Sequence, residues 1–222
     1  MLISEEMFLL ATKENGAPDP RIQNGSYALN GALLADLLAS GTVEATDSTK
    51  GAKLSSSSAS SSHIDHPLIR EATQALASHL PAKASHIVQS SWLSARESVG
   101  RSLGIEGFVQ VKGPRMFKLG RTRFPIIDLD AKNRILARVG GVLRGEEAAS
   151  KNDTVLLPIL QDTNALHSTL LSGELRGMKS GDVRERIRTI TQSTDGSVAT
   201  NAVQRALDGL AAVLGASAAT MM

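Results

Sequence analysis

Ser26-Tyr-Ala-Leu-Asn-Gly-Ala-Leu-Leu-Ala-Asp-Leu-Leu-Ala39 is the stretch that decides the fold. Its leucines recur at the three- and four-residue spacing of an amphipathic helix, and Gly41 follows where such a helix ends. These leucines are Leu29, Leu33, Leu34, Leu37 and Leu38. The spacing predicts a helix over 26–39, packed against a first helix that begins at Ser4 as its N-cap and ends near Lys13.

The composition of the whole chain favours helices. The chain has 222 residues, of which 41% are hydrophobic and only 3% are aromatic. Its core must therefore be filled mainly by Leu, Ile, Val, Ala and Met, which suits closely packed helices better than an aromatic-rich β-sandwich. We expect a mainly α protein: one compact helical-bundle domain over residues 1–222, with short peripheral strands and a projecting β-hairpin.

Pro, Gly, Asn and Asp residues divide the rest of the chain into elements. Further helices are predicted over 67–79, 85–103, 130–144, 153–161, 164–171, 182–191 and 197–218, and short strands over 42–45 and 51–54. Residues 55–62 are serine apart from one alanine. A segment of this composition cannot form core, so it is predicted to be a flexible loop.

The β-hairpin is predicted over residues 108–119. Phe108–Lys112 and Arg115–Leu119 are β-prone runs, and Gly113-Pro114 between them indicates a turn. From residue 108 onward no carboxylate occurs before Asp128, whereas cations are frequent. The cations are Lys112, Arg115, Lys118, Arg121 and Arg123.

The hairpin combines this positive charge with the apolar side chains of Met116 and Phe117. Such a ribbon suits a membrane surface or a nucleic acid, because its cations attract phosphates while its apolar side chains wedge into the partner. The structural alternative is an edge hairpin whose cations only keep it soluble and discourage strand addition.

The sequence predicts no catalytic, cofactor or metal site. It contains no cysteine, phosphate loop, nucleophile elbow or dinucleotide fingerprint. His63-Ile-Asp-His66 is the only arrangement that resembles a metal clip, and we interpret its histidines as surface residues. Asp128 and Asp130 form a carboxylate pair that we interpret as structural, with Asp130 as a helix N-cap. The absence of cysteine is compatible with a reducing compartment, so a cytoplasmic location is expected. No apolar run approaches the roughly 20 residues of a transmembrane helix, so any membrane contact is expected to be peripheral.

Several motifs together resemble the Golgi phosphoprotein 3 family of phosphoinositide-binding peripheral membrane proteins. The resemblance runs nearly end to end and rests on Leu2–Leu10, Leu29–Leu37, Ser40–Glu44, Arg96–Leu103, Glu106–Val109 and Gly120–Pro125. The Arg121-Thr-Arg-Phe-Pro125 form is closest to the bacterial branch of the family. The resemblance implies a compact, mostly helical domain from which the hairpin projects.

The resemblance also implies a headgroup pocket for phosphatidylinositol 4-phosphate. In the characterised eukaryotic members, a Trp before the second helix, an Arg within that helix and two Arg residues on the long helix form the pocket. The corresponding positions here carry Arg21, Asn30, Leu93 and Arg96, so three of the four differ. The candidate headgroup ligands are Arg96, Arg21, Asn30 and Arg101, and the last lies about one and a half turns beyond Arg96.

The resulting hypothesis is a non-catalytic adaptor, without a cofactor, that binds anionic lipid on the cytoplasmic face of a membrane. The hairpin is a candidate contact for homo-oligomers, and an unidentified client protein is a further candidate partner. Two alternatives stay open: a winged-helix-like nucleic-acid binder, and a scaffold that binds proteins without lipid. Nucleic acid is not expected, because Arg96 and Arg101 are accompanied by Glu97 and lack a cluster of base-reading side chains.

Replacing Arg115, Lys118, Arg121 and Arg123 together by Ser separates these three hypotheses. Removing the hairpin's charge should abolish binding to anionic vesicles for a lipid binder and reduce DNA affinity for a nucleic-acid binder. A protein scaffold should keep its partner binding. Vesicle co-sedimentation and DNA titration measure the difference, and a variant that still binds anionic vesicles normally would contradict the membrane hypothesis.

Overall fold

A computed structural model describes residues 1–22, 24–46, 52–57, 66–113, 122–163, 165–166 and 173–193. Its helices are α1 (Ile3–Leu10), α2 (Gly25–Ala39), α3 (Pro67–Ala77), α4 (Ala84–Gln89), α5 (Ala95–Ile105), α6 (Leu129–Arg144), α7 (Asp153–Asp162) and α8 (Ser180–Ser193). Its strands are β1 (Val43–Thr46), β2 (Lys53–Ser56) and β3 (Ala82–Lys83). The expected mainly α fold with short strands is therefore confirmed.

Helix α2 lies at the centre of the bundle, and α1, α3, α4, α5 and α7 all pack against it. The leucine face predicted from the sequence is buried, with Leu33 and Leu37 fully enclosed. Gly41 has a φ of +72°, the left-handed conformation that favours glycine just beyond a helix. The helix predicted over 26–39 is thus confirmed, as is the start of α3 at Pro67, its first residue.

The strands form an antiparallel sheet in the order β1-β2-β3. Val43 pairs with Ser56 across the first interface, and Leu54 pairs with Ala82 across the second. Val43 and Leu54 are buried, and β1 packs against α2. The small sheet therefore extends the core at the C-terminal end of α2, where the sequence predicted short strands.

A carboxylate within α2 holds the N-terminus of α1. The backbone amide of Ile3 donates a hydrogen bond of 2.9 Å to Asp36 Oδ1, and that of Ser4 donates one of 2.9 Å to Asp36 Oδ2. Helix α1 begins at Ile3, so the prediction that Ser4 is its N-cap is wrong. The physical reason is that both ends of this contact are buried, and the unpaired amides of a buried helix start require an acceptor, which α2 supplies.

The predicted helix over 85–103 is in fact two helices, α4 and α5. Ser94, immediately before α5, has a φ of +44°, which a continuous helix does not allow. Asn30 of α2 donates one hydrogen bond of 2.8 Å to the Val88 carbonyl and another of 3.1 Å to the Ser90 carbonyl. The carbonyls at the end of α4 thus receive hydrogen bonds from the Asn30 side chain instead of from the amides of a next helical turn.

The helices predicted over 130–144, 153–161 and 182–191 correspond to α6, α7 and α8. The N-cap of α6 is Asp128, whose carboxylate accepts a 2.8 Å hydrogen bond from the Ala131 amide, and not Asp130 as predicted. Of the helix predicted over 164–171, only residues 165–166 are described. The helix predicted over 197–218 lies outside the described residues, and so do residues 58–62 of the serine loop. None of the helices in the described ranges has both the length and the apolar content that crossing a membrane requires.

A buried group of charges joins α1, α6 and α7. Arg138 of α6 donates to the carboxylate of Glu6 in α1 at 2.6 Å and to that of Asp153 at the start of α7. Burial raises the pKa of Glu6, and the neighbouring Arg138 guanidinium opposes that rise. The network therefore ties α1 to α6 and α7, because both carboxylates share the same cation.

The Asp36 contact makes the stability of the protein depend on pH. Burial raises the pKa of Asp36 to about 6, above the ordinary value of 3.8, although the Ile3 and Ser4 amides oppose the rise. Because the folded state binds this proton more tightly, the contribution of Asp36 is fully present below pH 3.8 and is lost as the pH rises through 6. We expect the free energy of unfolding of the wild type, relative to Asp36→Asn, to fall by about 2–2.5 kcal/mol between pH 4 and pH 7.

Urea denaturation of both proteins across this pH range measures the difference. Asp130→Asn is the matched control, because Asp130 is exposed and makes no hydrogen bond within the described part of the chain. Parallel stability curves for the wild type and Asp36→Asn would contradict the prediction.

Candidate anion-binding site

An antiparallel ribbon connects α5 to α6 and carries the first part of the candidate site. Val109 pairs with Ile126, and Lys112 pairs with Arg123. The arm after α5 therefore pairs with the residues just before α6. The second arm that the sequence predicted, 115–119, lies outside the described residues. Of the predicted Gly113-Pro114 turn, only Gly113 is among the described residues.

Burial explains this register. Phe124 is fully enclosed, and Val109 and Ile126 are 2% and 8% exposed, so all of them belong to the core. A shift of the pairing by one residue would turn such side chains toward solvent. β-propensity carries no information about which segment reaches the core, so the sequence analysis did not anticipate this pairing. The hairpin predicted over 108–119 stays a prediction.

The ribbon presents two cations side by side. Lys112 and Arg123 exchange both backbone hydrogen bonds, each of 2.9 Å, so their side chains lie on the same face of the ribbon. Both residues are exposed, and among the described residues neither forms an ion pair. Like charges directly opposite each other are destabilising unless an anion lies between them. The other predicted hairpin residues, Arg115, Met116, Phe117, Lys118 and Arg121, lie outside the described residues.

The loop between α1 and α2 fixes the base of the ribbon. The Phe124 amide donates to the Gly16 carbonyl at 3.4 Å, and the Ile126 amide donates to the Glu14 carbonyl at 3.0 Å. Gly16 has a φ of +81°, and a Cβ at this position would lie only 2.3 Å from the Pro125 nitrogen. Only glycine allows this approach, so the loop and the ribbon form one backbone unit.

Arg96 of α5 contacts this backbone unit through its guanidinium group. Its Nη1 donates to Thr12 Oγ1 at 3.2 Å and its Nη2 donates to the Gly16 carbonyl at 3.0 Å. The guanidinium carbon also lies 4.8 Å from the ring centroid of Phe8 and 5.9 Å from that of Phe124. Burial lowers the pKa of this guanidinium. The charge of Glu97 opposes this lowering of the pKa. The groups that touch the guanidinium are all uncharged, so they hold it in place without neutralising it.

Lys132 of α6 reaches the same loop and was missed in the sequence analysis. Its Nζ donates to the Thr12 carbonyl at 2.7 Å, so Lys132 and Arg96 contact one residue from two helices. Burial lowers the pKa of Lys132, while the charges of Asp19 and Glu14 raise it. The sequence did contain a signal for Lys132. A cation in the first turn of a helix is unfavourable because it opposes the helix dipole, so its presence there suggests a contact with another part of the fold.

Arg21 lies in the same loop as the acceptors of Arg96. Its Nε and Nη2 donate to the two oxygens of Asp19 at 3.0 and 2.7 Å, and these hydrogen bonds lower the pKa of Asp19. The Arg21 side chain is 62% exposed, so its ion pair is largely in solvent. Arg21 is near the candidate site, but a carboxylate already balances its charge.

Asn30 and Arg101 lie on other parts of the bundle. Asn30 is buried, and its amide hydrogens are donated to the carbonyls at the end of α4. Arg101 pairs with Glu71 of α3 at 3.0 Å. The structure thus brings Arg96 and Arg21 to one loop and leaves Asn30 and Arg101 with other partners. Their roles as headgroup ligands stay predictions.

The arrangement around Thr12 suits an oxyanion. Arg96 and Lys132 supply two half-buried positive charges that have no carboxylate within 4.0 Å in the described part of the chain. The exposed pair Lys112 and Arg123 lies on the ribbon whose base the same loop fixes. Guanidinium and ammonium groups are the protein groups that bind phosphates most strongly, and partial burial strengthens the interaction.

Arg96 also stabilises the fold through its hydrogen bonds and ring contacts, so its effect on stability must be measured separately from its effect on binding. We expect Arg96→Met to lower the free energy of unfolding by about 1–3 kcal/mol, because it loses both hydrogen bonds and the contact with the rings. Arg101→Met is the matched control on the same helix and should cost no more than about 1 kcal/mol, since its ion pair is exposed. Urea denaturation measures both, and equal losses would show that the partners of Arg96 contribute nothing specific.

The sequence was also compared with known proteins. The family model described as Golgi phosphoprotein 3 (GPP34) matches residues 3–210, which include every helix and strand described above. A search of the curated proteins returned no match. Because the family model covers nearly the whole chain, the chain belongs to the Golgi phosphoprotein 3 (GPP34) family.

Proposed function

We propose that this protein is a non-catalytic peripheral membrane protein that binds anionic phospholipid headgroups. The observation that carries the proposal is the pair of half-buried cations Arg96 and Lys132, which both donate to Thr12 and have no carboxylate within 4.0 Å in the described part of the chain. Arg96 is also the residue that the family resemblance assigns to the headgroup pocket. A phosphate group placed beside this pair gains the charge interaction that the neutral partners of both cations do not use.

The ribbon supplies the second contact with the membrane. Its exposed cations Lys112 and Arg123 face the same way, and each contributes about 1 kcal/mol near an anionic lipid surface. Binding through these groups is weak and sensitive to salt, because screening limits exposed charges to about 8 Å at physiological ionic strength.

Weak attachment favours a protein that acts together with others. Two linked copies or a membrane-bound client would raise the apparent affinity without any new lipid contact. Homo-oligomers through the ribbon and an adaptor role toward a client protein are therefore parts of the proposal. The location proposed is the cytoplasmic face of a membrane, and phosphatidylinositol 4-phosphate is the headgroup that the family resemblance favours.

The packing of α5 supports lipid over nucleic acid as the partner. A recognition helix must offer a free face to the major groove. Helix α5 packs against α1, α2 and α3, and its residues Ser98, Val99 and Leu103 are buried. Of its arginines, Arg96 is turned into the loop after α1 and Arg101 is paired with Glu71.

Vesicle co-sedimentation tests the proposal. We expect the wild type to bind vesicles containing phosphatidylglycerol, cardiolipin or phosphatidylinositol 4-phosphate, and to bind neutral phosphatidylcholine vesicles much less. Lys112→Ser combined with Arg123→Ser should lower the partition coefficient about 10- to 30-fold, as expected for two cations at an anionic surface. Arg96→Met should weaken binding to phosphatidylinositol 4-phosphate more than to phosphatidylglycerol at equal vesicle charge.

A matched control separates the ribbon from net charge. Lys179→Ser combined with Arg184→Ser removes the same two charges from exposed positions at α8 and should change the partition coefficient by less than about threefold. Equal losses for the two double variants would mean that net charge alone drives binding. Absence of wild-type binding to every anionic vesicle at low salt would overturn the proposed function.

A further inference from the structure

A second group of functional side chains lies at the other end of α5, apart from the loop that Arg96 contacts. Glu5 of α1, His66 before α3 and Glu106 at the end of α5 meet there, although they are far apart in the sequence. The ligand-type atoms of the three residues all lie within 4.8 Å of one another. We propose that Glu5, His66 and Glu106 form a binding site for a divalent transition-metal ion of the zinc class.

The distances suit such an ion. His66 Nε2 lies 3.5 Å from Glu5 Oε1 and 3.2 Å from Glu106 Oε1. Ligand atoms that hold zinc tetrahedrally at about 2.0–2.1 Å are separated by about 3.3 Å. Two edges of the required triangle are therefore already present, and only the two carboxylates must approach each other. Rotation of the Glu106 side chain is enough for this, because it is 36% exposed.

The two carboxylates of the cluster, Glu5 and Glu106, also favour the binding of a cation. Glu5 is fully buried, and among the described residues its only partner capable of positive charge is His66. With a neutral imidazole, the two carboxylates leave two uncompensated negative charges, which a divalent ion balances. Buried charges in proteins are either paired or bound to metals. Imidazole nitrogen with carboxylate oxygen favours zinc-class ions, whereas magnesium and calcium prefer oxygen ligands alone.

Surrounding groups hold the buried ligand in position. The Ser102 hydroxyl donates to Glu5 Oε1 at 3.1 Å, and the Leu2 amide donates to Glu5 Oε2 at 2.9 Å. Such outer hydrogen bonds orient metal ligands. His66 and Glu106 are 20% and 36% exposed, so an ion can enter from solvent on their side.

One hydrogen bond of His66 opposes metal binding and limits the affinity of the site. The Leu68 amide donates to His66 Nδ1 at 3.3 Å, so the ring proton is on Nε2, where the metal would bind. Binding must move this proton to Nδ1 and give up the contact with Leu68. We therefore expect micromolar affinity, well below that of closed structural zinc sites.

Isothermal titration of the chelator-treated full-length protein with ZnCl₂ tests the proposal. We expect one high-affinity site per chain, whose affinity falls at least tenfold in Glu106→Gln and in His66→Asn. The Asn side chain keeps an N-cap for α3, so the second variant should fold normally. Glu5 is left unchanged because its carboxylate also holds Leu2 and Ser102.

His86→Gln is the matched control, because His86 is an exposed histidine on α4 outside the cluster. It should keep wild-type affinity and stoichiometry. A Zn²⁺ concentration of 100 times the Kd should raise the Tm of the wild type by about 5–10 °C and leave that of Glu106→Gln nearly unchanged. The visible bands of bound Co²⁺ report tetrahedral coordination with the same variants.

Loss of binding in His86→Gln, or affinity within about threefold of wild type in both cluster variants, would overturn the site. So would the absence of any saturable binding to the wild type at concentrations up to about 1 mM. Because the site does not involve Arg96, Lys132 or the ribbon, failure here leaves the proposed lipid function untouched, and the reverse also holds.

Discussion

Asp36 joins the two helices on which the rest of the bundle is built. Its carboxylate, in the last turn of α2, accepts hydrogen bonds from the first amides of α1, and both partners are buried. The cost of burying this charge is offset by the positive end of α1, which would otherwise leave its amides unsatisfied in the core. Burial still dominates, as the raised pKa of the carboxyl group indicates.

The position of α1 determines where the candidate site forms. The chain leaves α1 at Ala11 and turns through Thr12 and Gly16 before it enters α2, so the Asp36 contact sets the position of this loop. The loop in turn supplies the backbone carbonyls that pair with the base of the ribbon. The Asp36 contact, together with the Arg138 network and the burial of α1, thus positions the acceptors of Arg96 and Lys132 and the base of the ribbon.

The charged side chains divide into two kinds. Arg21, Arg101 and Arg138 are paired with carboxylates, so their charges are already balanced within the molecule. Arg96 and Lys132 are held by neutral oxygens of Thr12 and Gly16 instead. A neutral acceptor fixes the geometry of a cation but leaves its charge available to a ligand. The number of cations in the sequence therefore says less about binding than the partners that each cation finds.

Local signals in the sequence were sufficient for most helices. The leucine spacing of 26–39, Pro67 at the start of α3 and Gly41 after α2 each depend on the conformational preferences of a few neighbouring residues. The sequence also proposed Arg96, through the family resemblance, and a basic hairpin over 108–119, through a run of neighbouring cations, as candidate site residues. The resemblance to the family and the mainly α fold rest on such local patterns.

Only the tertiary structure decided which distant groups meet. The amide of Asn30 ends α4, the carboxylate of Asp36 begins α1, and the burial of Phe124 fixes the register of the ribbon. Lys132 at Thr12 and the meeting of Glu5, His66 and Glu106 have the same origin. The sequence by itself determined the elements, because propensity and spacing act over one or two turns. The site required the fold, because hydrogen bonds and burial between remote residues depend on packing that no local pattern encodes.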